Sequence, residues 1–440
     1  MSQASSASST ASSEPEASTQ LDRALRDALD PQLAKALDRV LDAARRTGAV
    51  VYVVGGVPRD LLLGRCPSGR LAEVDLTVTE GHAERVAAWP LADGRLVVHP
   101  RFGTRSWSDG RVRLDLVEAR AESYPRPGAL PTVRRGSLSE DLARRDFSVN
   151  AMAWGLSGAD ALRLSDPHGG ERDLVDGRLR VLHPGSFLDD PTRVWRGLRY
   201  ARRLGFHFAP LTEALIADCL SVMAGLSGRR LAAELGRVWS EPEPALLLED
   251  LEARGALAAI DPRLRSSEEG SRAAEAALSA GADPDGATAA YLLDQASSVR
   301  LAAAVRLDLP GRLRHALERC GPVLDAFVAD AVTDAELLRL DHLGPTGLDL
   351  LSWASQGGGP GRRPLAETLR RQQAAPFIDG DALLGRGLRP GPELGRILAA
   401  LRSGQLRGDI ASPAAALRSL AALTGGAGRR ILAAGGSPDA

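Results

Sequence analysis

The stretch Val50-Val51-Tyr52-Val53-Val54-Gly55-Gly56-Val57-Pro58-Arg59-Asp60 decides how this chain is read. Five consecutive β-favouring residues make a short strand, and the glycine pair ends it where an apolar helix begins. Glycines at a strand end let backbone N–H groups approach an anion closely, and the following helix N-terminus adds a favourable dipole. A strand–Gly-Gly–helix junction is usually only a turn, so the junction alone does not define a site.

A second stretch, Glu73-Val74-Asp75-Leu76, strengthens the first. Alternation along a strand places Glu73 and Asp75 on one face. Side by side, two like charges repel. A divalent metal resolves the conflict, and two Mg²⁺ ions roughly 3.5–4 Å apart can activate a 3′-hydroxyl and stabilise a leaving pyrophosphate. The plainer alternative is the solvated outer face of an edge strand. Asp115, in the apolar run Arg113-Leu114-Asp115-Leu116-Val117, is a candidate third ligand.

Around these stretches the pattern changes twice. Residues 1 to about 20 are mostly Ser, Ala, Thr and Glu, and are expected to form a disordered tail. Leu21, Leu25, Leu29, Leu33, Leu37 and Leu41 recur at helical spacing, with Asp30-Pro31 as N-cap and first turn of a second helix. Ala49 to Val54, Glu73 to Val78, Arg95 to Val98 and Val112 to Val117 read as strands with helical stretches between them. From about Pro191 onward the pattern is almost wholly helical. The expected fold class is α+β: a small mixed-sheet head followed by a long all-α remainder.

Composition excludes several functions. The 55 basic and 56 acidic residues nearly balance, so net charge alone argues for no polyanion partner. Lys35 is the only lysine. That bias fits genome composition, although arginine is also the side chain best shaped for phosphates and base edges. Aromatic residues make up 4%, too few for a broad base-stacking platform. Cys66, Cys219 and Cys320 are too far apart for a zinc knuckle and suit a reducing compartment. With no apolar run of membrane-spanning length and no signal peptide, the expectation is a soluble cytoplasmic protein without a membrane partner.

Further motifs follow in order: Asp141-Leu142-Ala143-Arg144-Arg145-Asp146-Phe147-Ser148-Val149-Asn150-Ala151-Met152, Asp166-Pro167-His168-Gly169-Gly170, and Phe187-Leu188-Asp189-Asp190-Pro191-Thr192-Arg193 leading into Arg196, Arg199-Tyr200 and Leu204-Gly205-Phe206. With Gly55-Gly56, Arg59-Asp60 and the acidic pair, they resemble the class II CCA-adding tRNA nucleotidyltransferase and bacterial poly(A) polymerase family. The likeness extends over about residues 45 to 420. It implies a polymerase β-like nucleotidyltransferase head (21–155) with an all-α neck (156–235), body (236–340) and tail (341–440) that binds tRNA. It also implies catalytic Glu73, Asp75 and Asp115, with Glu73 and Asp75 holding Mg²⁺, two ions being expected. Gly55, Gly56, Arg59, Arg144, Arg145, Asp146, Asn150, Asp190, Arg193, Arg196 and Arg199 would bind the incoming nucleotide. Arg203 and Arg230 would touch RNA.

In that reading Asp190 and Arg193 are a protein template for the base. Aspartate accepts from an exocyclic amino group and arginine donates to ring acceptors, a pattern that suits cytosine and adenine and rejects uracil and guanine. An aspartate before Pro191 is equally an ordinary helix N-cap, and capping would fix its orientation. Arg193, Arg196, Arg199 and Arg203 recur at three- and four-residue spacing, either as a solvated basic face or as a track for acceptor-stem phosphates.

The chain departs from the family pattern at three positions. Glu73 stands where the family has aspartate, Asp189 where many members have glutamate, and Pro58 stiffens the phosphate turn. The partners implied are the tRNA 3′ acceptor end, ATP and CTP. Whole CCA, CC alone, terminal A alone or a poly(A) tail are all products the resemblance leaves open, as it does the oligomeric state. Tyr124-Pro125-Arg126-Pro127-Gly128-Ala129-Leu130-Pro131 resembles members from bacteria that split the job between two enzymes, and a mobile loop is expected between the metal strands and Arg144. Glu73 also keeps open a catalytically weakened tRNA-binding homologue.

Overall fold

The computed structural model describes residues 14–424 except 67, 80–85, 87–93 and 100–103. The chain divides into two compact units, Met1–Met223 and Ala224–Ala440, so the division falls inside the stretch expected to be the neck.

The first unit opens with two helices, α1 (Glu14–Ala28) and α2 (Pro31–Thr47). Asp30 caps α2 by accepting from the Gln32 N–H at 2.8 Å, and Pro31 occupies the first turn, as the sequence predicts. Residues 14–20, expected in a disordered tail, lie in α1 instead; residues 1–13 fall outside the described residues. The helix extends upstream because its amphipathic face is anchored further on, where Leu25 and Ala28 are buried.

The strands are β1 (Val51–Val54), β2 (Glu73–Val78), β3 (Arg95–His99), β4 (Thr104–Ser108), β5 (Arg113–Glu118), β6 (Arg120–Ser123), β7 (Thr132–Arg135), β8 (Ala153–Gly155), β9 (Leu164–Ser165), β10 (Arg178–Leu179) and β11 (His207–Phe208). Seven form one mixed sheet, ordered β3-β4-β5-β2-β1-β8-β9. Within it only the β2–β5 pair is parallel.

Both faces of β1 are covered, which explains its uninterrupted apolar run. Val51 and Val53 pack with Leu33, Leu37, Val40, Leu76, Leu114 and Leu116 against α1 and α2. Tyr52 and Val54 turn the other way and pack with Ala153 and Leu142. Leu142 belongs to α4 (Leu138–Ala143), which a Ser137/Glu140 capping box starts. This short helix therefore lies on the same face as the β2 carboxylates and brings Arg145 toward Asp75.

Four expected strands are present. Strand β4 was not expected, because of Thr104-Arg105-Ser106-Trp107-Ser108 only Trp107 is buried and no apolar alternation marks it. The segment between β5 and Arg144 holds a β6–β7 hairpin, in whose connection the Gly128 N–H donates to the Leu188 carbonyl at 2.8 Å. Helices α5 (Gly170–Val175), α6 (Ser186–Asp189), α7 (Thr192–Leu204) and α8 (Pro210–Ala224) complete this part, with a parallel β10–β11 pair between them.

In the second unit every regular element among the described residues is helical, from Gly228–Val238 to Pro413–Thr424. Its last helices gather their own core around Leu383, Ile397, Leu401 and Leu420. No helix among the described residues is long and apolar enough to cross a membrane.

Candidate nucleotide and metal site

The parallel register of β2 and β5 sets Asp75 opposite Asp115 and Glu73 opposite Arg113. One oxygen from each of Glu73, Asp75 and Asp115 lies within 4.8 Å of the other two. Arg113 donates to Asp115 through Nε at 3.0 Å and Nη2 at 2.8 Å, and stands 3.9 Å from Glu73. Desolvation by surrounding protein, then the Asp115 and Glu73 charges, push the Asp75 pKa above the usual carboxylate value, although its surface is open to solvent. Arg145 and Arg113 oppose that rise. An oxygen-only set of converging carboxylates fits a hard divalent cation.

Gly55 closes one side of this cluster. Its φ of 78° favours glycine, and a Cβ there would meet Arg145 Nη1 at 3.4 Å and Asp75 Oδ2 at 3.6 Å. A side chain would fill the gap between arginine and carboxylate. Gly56 is the first residue of α3 (Gly56–Leu62), and a Cβ on it would sit 3.1 Å from Arg59 Nη2.

Arg59 is buried and braced on both sides. Its Nε and Nη2 donate to Asp60, its Nη1 donates to Asn150 Oδ1 at 2.6 Å, and its guanidinium lies 5.4 Å from the Tyr200 ring centre. Asn150 in turn donates to Asp146 Oδ1 at 3.0 Å, and Arg196 donates to Asp146 Oδ2 through Nε at 2.8 Å. Burial would raise the Asp146 pKa, but the Arg196 charge and the hydrogen bonds outweigh it and hold it below the usual value. The five polar residues from Asp60 to Arg196 thus form one continuous network.

A second carboxylate organises the remaining arginines. Asp141 is fully buried at 0% exposure. Arg144 donates to its Oδ1 through Nε and Nη2, at 3.0 and 2.8 Å, and Arg145 Nη2 donates to Oδ2 at 2.9 Å. Burial works against the Asp141 charge, yet the two guanidiniums win and its pKa falls below the usual range. Arg144 Nη1 also donates to Glu122 on β6.

Asp190 Oδ1 accepts from the Thr192 N–H and hydroxyl, at 3.1 and 2.7 Å, so it caps the start of α7. Arg193, one turn on and 5% exposed, donates to Ser186 Oγ at 2.7 Å and to the Arg144 carbonyl at 2.7 Å. It also reaches the Tyr124 hydroxyl at 3.5 Å. A cleft of about 240 Å³ opens here, lined by Glu122, Tyr124, Arg134, Arg144, His183, Asp189 and Arg193 among others. Burial, with Glu122 adding to it, pushes the Tyr124 phenol up to about 12 against the pull of Arg193, so it stays a hydrogen-bonding hydroxyl at neutral pH.

The arginine series on α7 does not form one solvated stripe. Arg193 and Arg199 are buried, Arg196 turns onto Asp146, and Arg203 is exposed with its guanidinium 5.8 Å from the Tyr200 ring centre. The spacing does keep the four within about 120° of one another around the helix, but that face is packed against Ser186, Arg144 and Asp146 at Arg193 and Arg196 rather than open to solvent. Arg230 lies in the other unit, in the first turn of a helix capped by Ser227. Asp166 caps α5 through the Gly170 and Glu171 N–H groups. Asp60, Asp141, Glu122 and Ser186 belong to the site network without having been candidates. Asp141 had a readable signal: it precedes Arg144 and Arg145 by three and four residues.

A mixed sheet with three converging carboxylates beside a glycine turn, arginine-clamped, defines a nucleotidyl-transfer type of head. Residues 51–180 match the Poly A polymerase head domain. The chain is 33% identical over 376 residues to the CC-adding tRNA nucleotidyltransferase of Deinococcus radiodurans, covering 84% of this chain and 89% of that one. It is 39% identical over 225 residues to the A-adding tRNA nucleotidyltransferase of Halalkalibacterium halodurans, covering 49% of this chain and 51% of the relative. The chain therefore spans about half the length of that A-adding relative. A solved CCA-adding enzyme, apo form II, shares the fold with a TM-score of 0.72 at 24% identity, over 91% of this chain and 98% of that one. This chain belongs to the tRNA nucleotidyltransferase family.

Proposed function

We propose that this chain adds CCA, or part of it, to tRNA 3′ ends by template-independent nucleotidyl transfer from CTP and ATP. The observation that carries this reading is the convergence of Glu73, Asp75 and Asp115 beside Gly55 and Arg145. Two Mg²⁺ ions on Glu73 and Asp75, with Asp115 beside them, would supply activation of the 3′-hydroxyl and stabilisation of the departing pyrophosphate. The chain's own residues do the rest. Gly55 and Gly56 leave room for the triphosphate. Arg59 helps hold it, Arg144, Arg145 and Asp146 contact the nucleotide's sugar and phosphates, and Asn150, Arg196 and Arg199 complete the nucleotide pocket. Asp190 and Arg193 read the base, and the cap on α7 holds Asp190 in one orientation. Arg203 and Arg230 contact RNA. The head spans 21–155, the base-reading neck 156–235, the body 236–340 and the tRNA-binding tail 341–440. Free Cys66, Cys219 and Cys320 fit a cytoplasmic enzyme.

One observation favours a second reading. Glu73 carries an extra methylene that moves its carboxylate by about 1.5 Å, which supports a weakened, tRNA-binding homologue. The deciding assay offers tRNA transcripts ending at the discriminator base, at C and at CC, with Mg²⁺ and each nucleotide singly and together. Extension to CCA marks a complete enzyme; stopping at CC, or using only the CC end with ATP, assigns half the job; long A tails mean a poly(A) polymerase. No incorporation on any end by wild type or Glu73→Asp, with tRNA still bound, would leave the binding homologue.

A further inference from the structure

We infer that Asp141 is a positioning residue that aims Arg144 and Arg145 at the incoming triphosphate, with Arg145 the more dependent of the two. The inference rests on the nucleotide-binding role proposed above for these arginines. Asp141 is 0% exposed, and both its oxygens are occupied. Oδ1 accepts from Arg144 Nε and Nη2 and from the Arg120 backbone N–H at 3.3 Å. Oδ2 accepts from Arg145 alone. Arg144 has a second carboxylate in Glu122, at 3.1 Å. Among the described residues Arg145 hydrogen-bonds no other carboxylate, and its buried Nε has no acceptor.

The geometry gives the clamp a purpose beyond stability. A buried carboxylate and its arginines are a poor source of net stability, because desolvation offsets the attraction. Here the arginines remain partly exposed, at 18% and 15%, while the carboxylate that holds them is not. Arg145 Nη1 lies beside Gly55, and the Arg145 charge already acts on Asp75. An Arg145 released from Asp141 would no longer be held at the gap that Gly55 leaves for the triphosphate. Asp141 holds it between the phosphate turn and the carboxylates.

Asp141→Asn tests this, because the isosteric amide must set an NH₂ donor against a guanidinium. Its remaining oxygen will keep the three donors of the Oδ1 side, so Arg145 is the one let go. The measurement is equilibrium binding of ATP and CTP to the full chain with Mg²⁺, alongside steady-state incorporation into a tRNA transcript. Losing one charge-assisted bond predicts affinity about tenfold to a hundredfold weaker, with KM raised equally. The kcat and tRNA affinity should stay near wild type, and Glu122→Gln should cost less. Should Asp141→Asn not fold, Asp141→Glu carries the test, since it keeps the charge but displaces the oxygens by about 1.5 Å; the same split of KM from kcat is expected. A folded variant that binds both triphosphates like wild type, or loses kcat with KM unchanged, overturns the assignment alone. Wild type binding neither triphosphate overturns the proposed function and this inference with it.

Discussion

Glu73, Asp75 and Asp115 face one another across neighbouring strands, whereas Asp60, Asp141 and Asp146 each face an arginine. The first set has its charges crowded and only partly offset, by Arg113 and Arg145, and the pKa of Asp75 rises. The second set is more buried at Asp141 and Asp146, yet the pKa of both falls. Burial alone therefore does not separate the two groups; what faces each carboxylate does. In the proposed function the crowded, partly offset carboxylates receive a cation, and the fully paired ones hold arginines for an anion.

The largest effect should come from breaking the first set. Asp75→Asn is expected to lower incorporation by about a thousandfold, a loss typical of a group that stabilises transition-state charge. It should leave the fold intact. Glu73→Asp should raise kcat, by up to about a hundredfold, because displacements near 1 Å carry penalties of that order; incorporation at saturating nucleotide measures it. Breaking the second set should act on stability and nucleotide affinity rather than on the metal-dependent step. Asp146→Asn leaves Arg196 and Asn150 underpaired and should cost about 2–3 kcal/mol in denaturant unfolding. Asp190→Ala removes the cap on α7, worth about 1 kcal/mol, and should raise misincorporation of UTP and GTP relative to CTP and ATP.

Acid sharpens the contrast, and the signs are opposite. The depressed pKa values of Asp141 and Asp146 give stability that is full above the unfolded value near 3.9 and is lost as pH falls through their lower folded values. The raised Asp75 pKa works the other way: its contribution is full below the unfolded value and is lost as pH rises through the folded one. Without metal, Asp75→Asn should thus melt above wild type at pH 7, with the gap closing toward pH 4. Asp146→Asn should melt below wild type at pH 7, and its gap should narrow only in stronger acid.

Much of this was legible in the sequence where one residue's periodicity or local chemistry carried it. The strand through Val50–Val54, the Asp30 cap and the shared face of Glu73 and Asp75 follow from spacing alone. The pairing of Asp75 with Asp115 across β2 and β5 is a register, set by packing of residues far apart in the chain, and only the presence of Asp115 on a later strand hinted at it. Strand β4 escaped notice because its site-facing residues are serines, which look like a loop in one dimension. The spacing of the α7 arginines leaves a solvated face and a phosphate track equally open, because their burial depends on partners outside the helix: three of them turn inward or onto a carboxylate that the helix itself does not contain. Asp141 stands in a motif, but its pairing depends on where the helix ends: it stops at Ala143 and turns both arginines back onto the carboxylate.

The central claim is that the carboxylates of β2 and β5 receive a divalent cation, and that Asp60, Asp141 and Asp146 do not. Titration of Mn²⁺ into the full chain, followed by the loss of its free-ion electron paramagnetic resonance signal, tests it most directly. Wild type and Asp146→Asn should bind the ion alike, while Asp75→Asn should lose it. Equal binding by wild type and Asp75→Asn would contradict the claim.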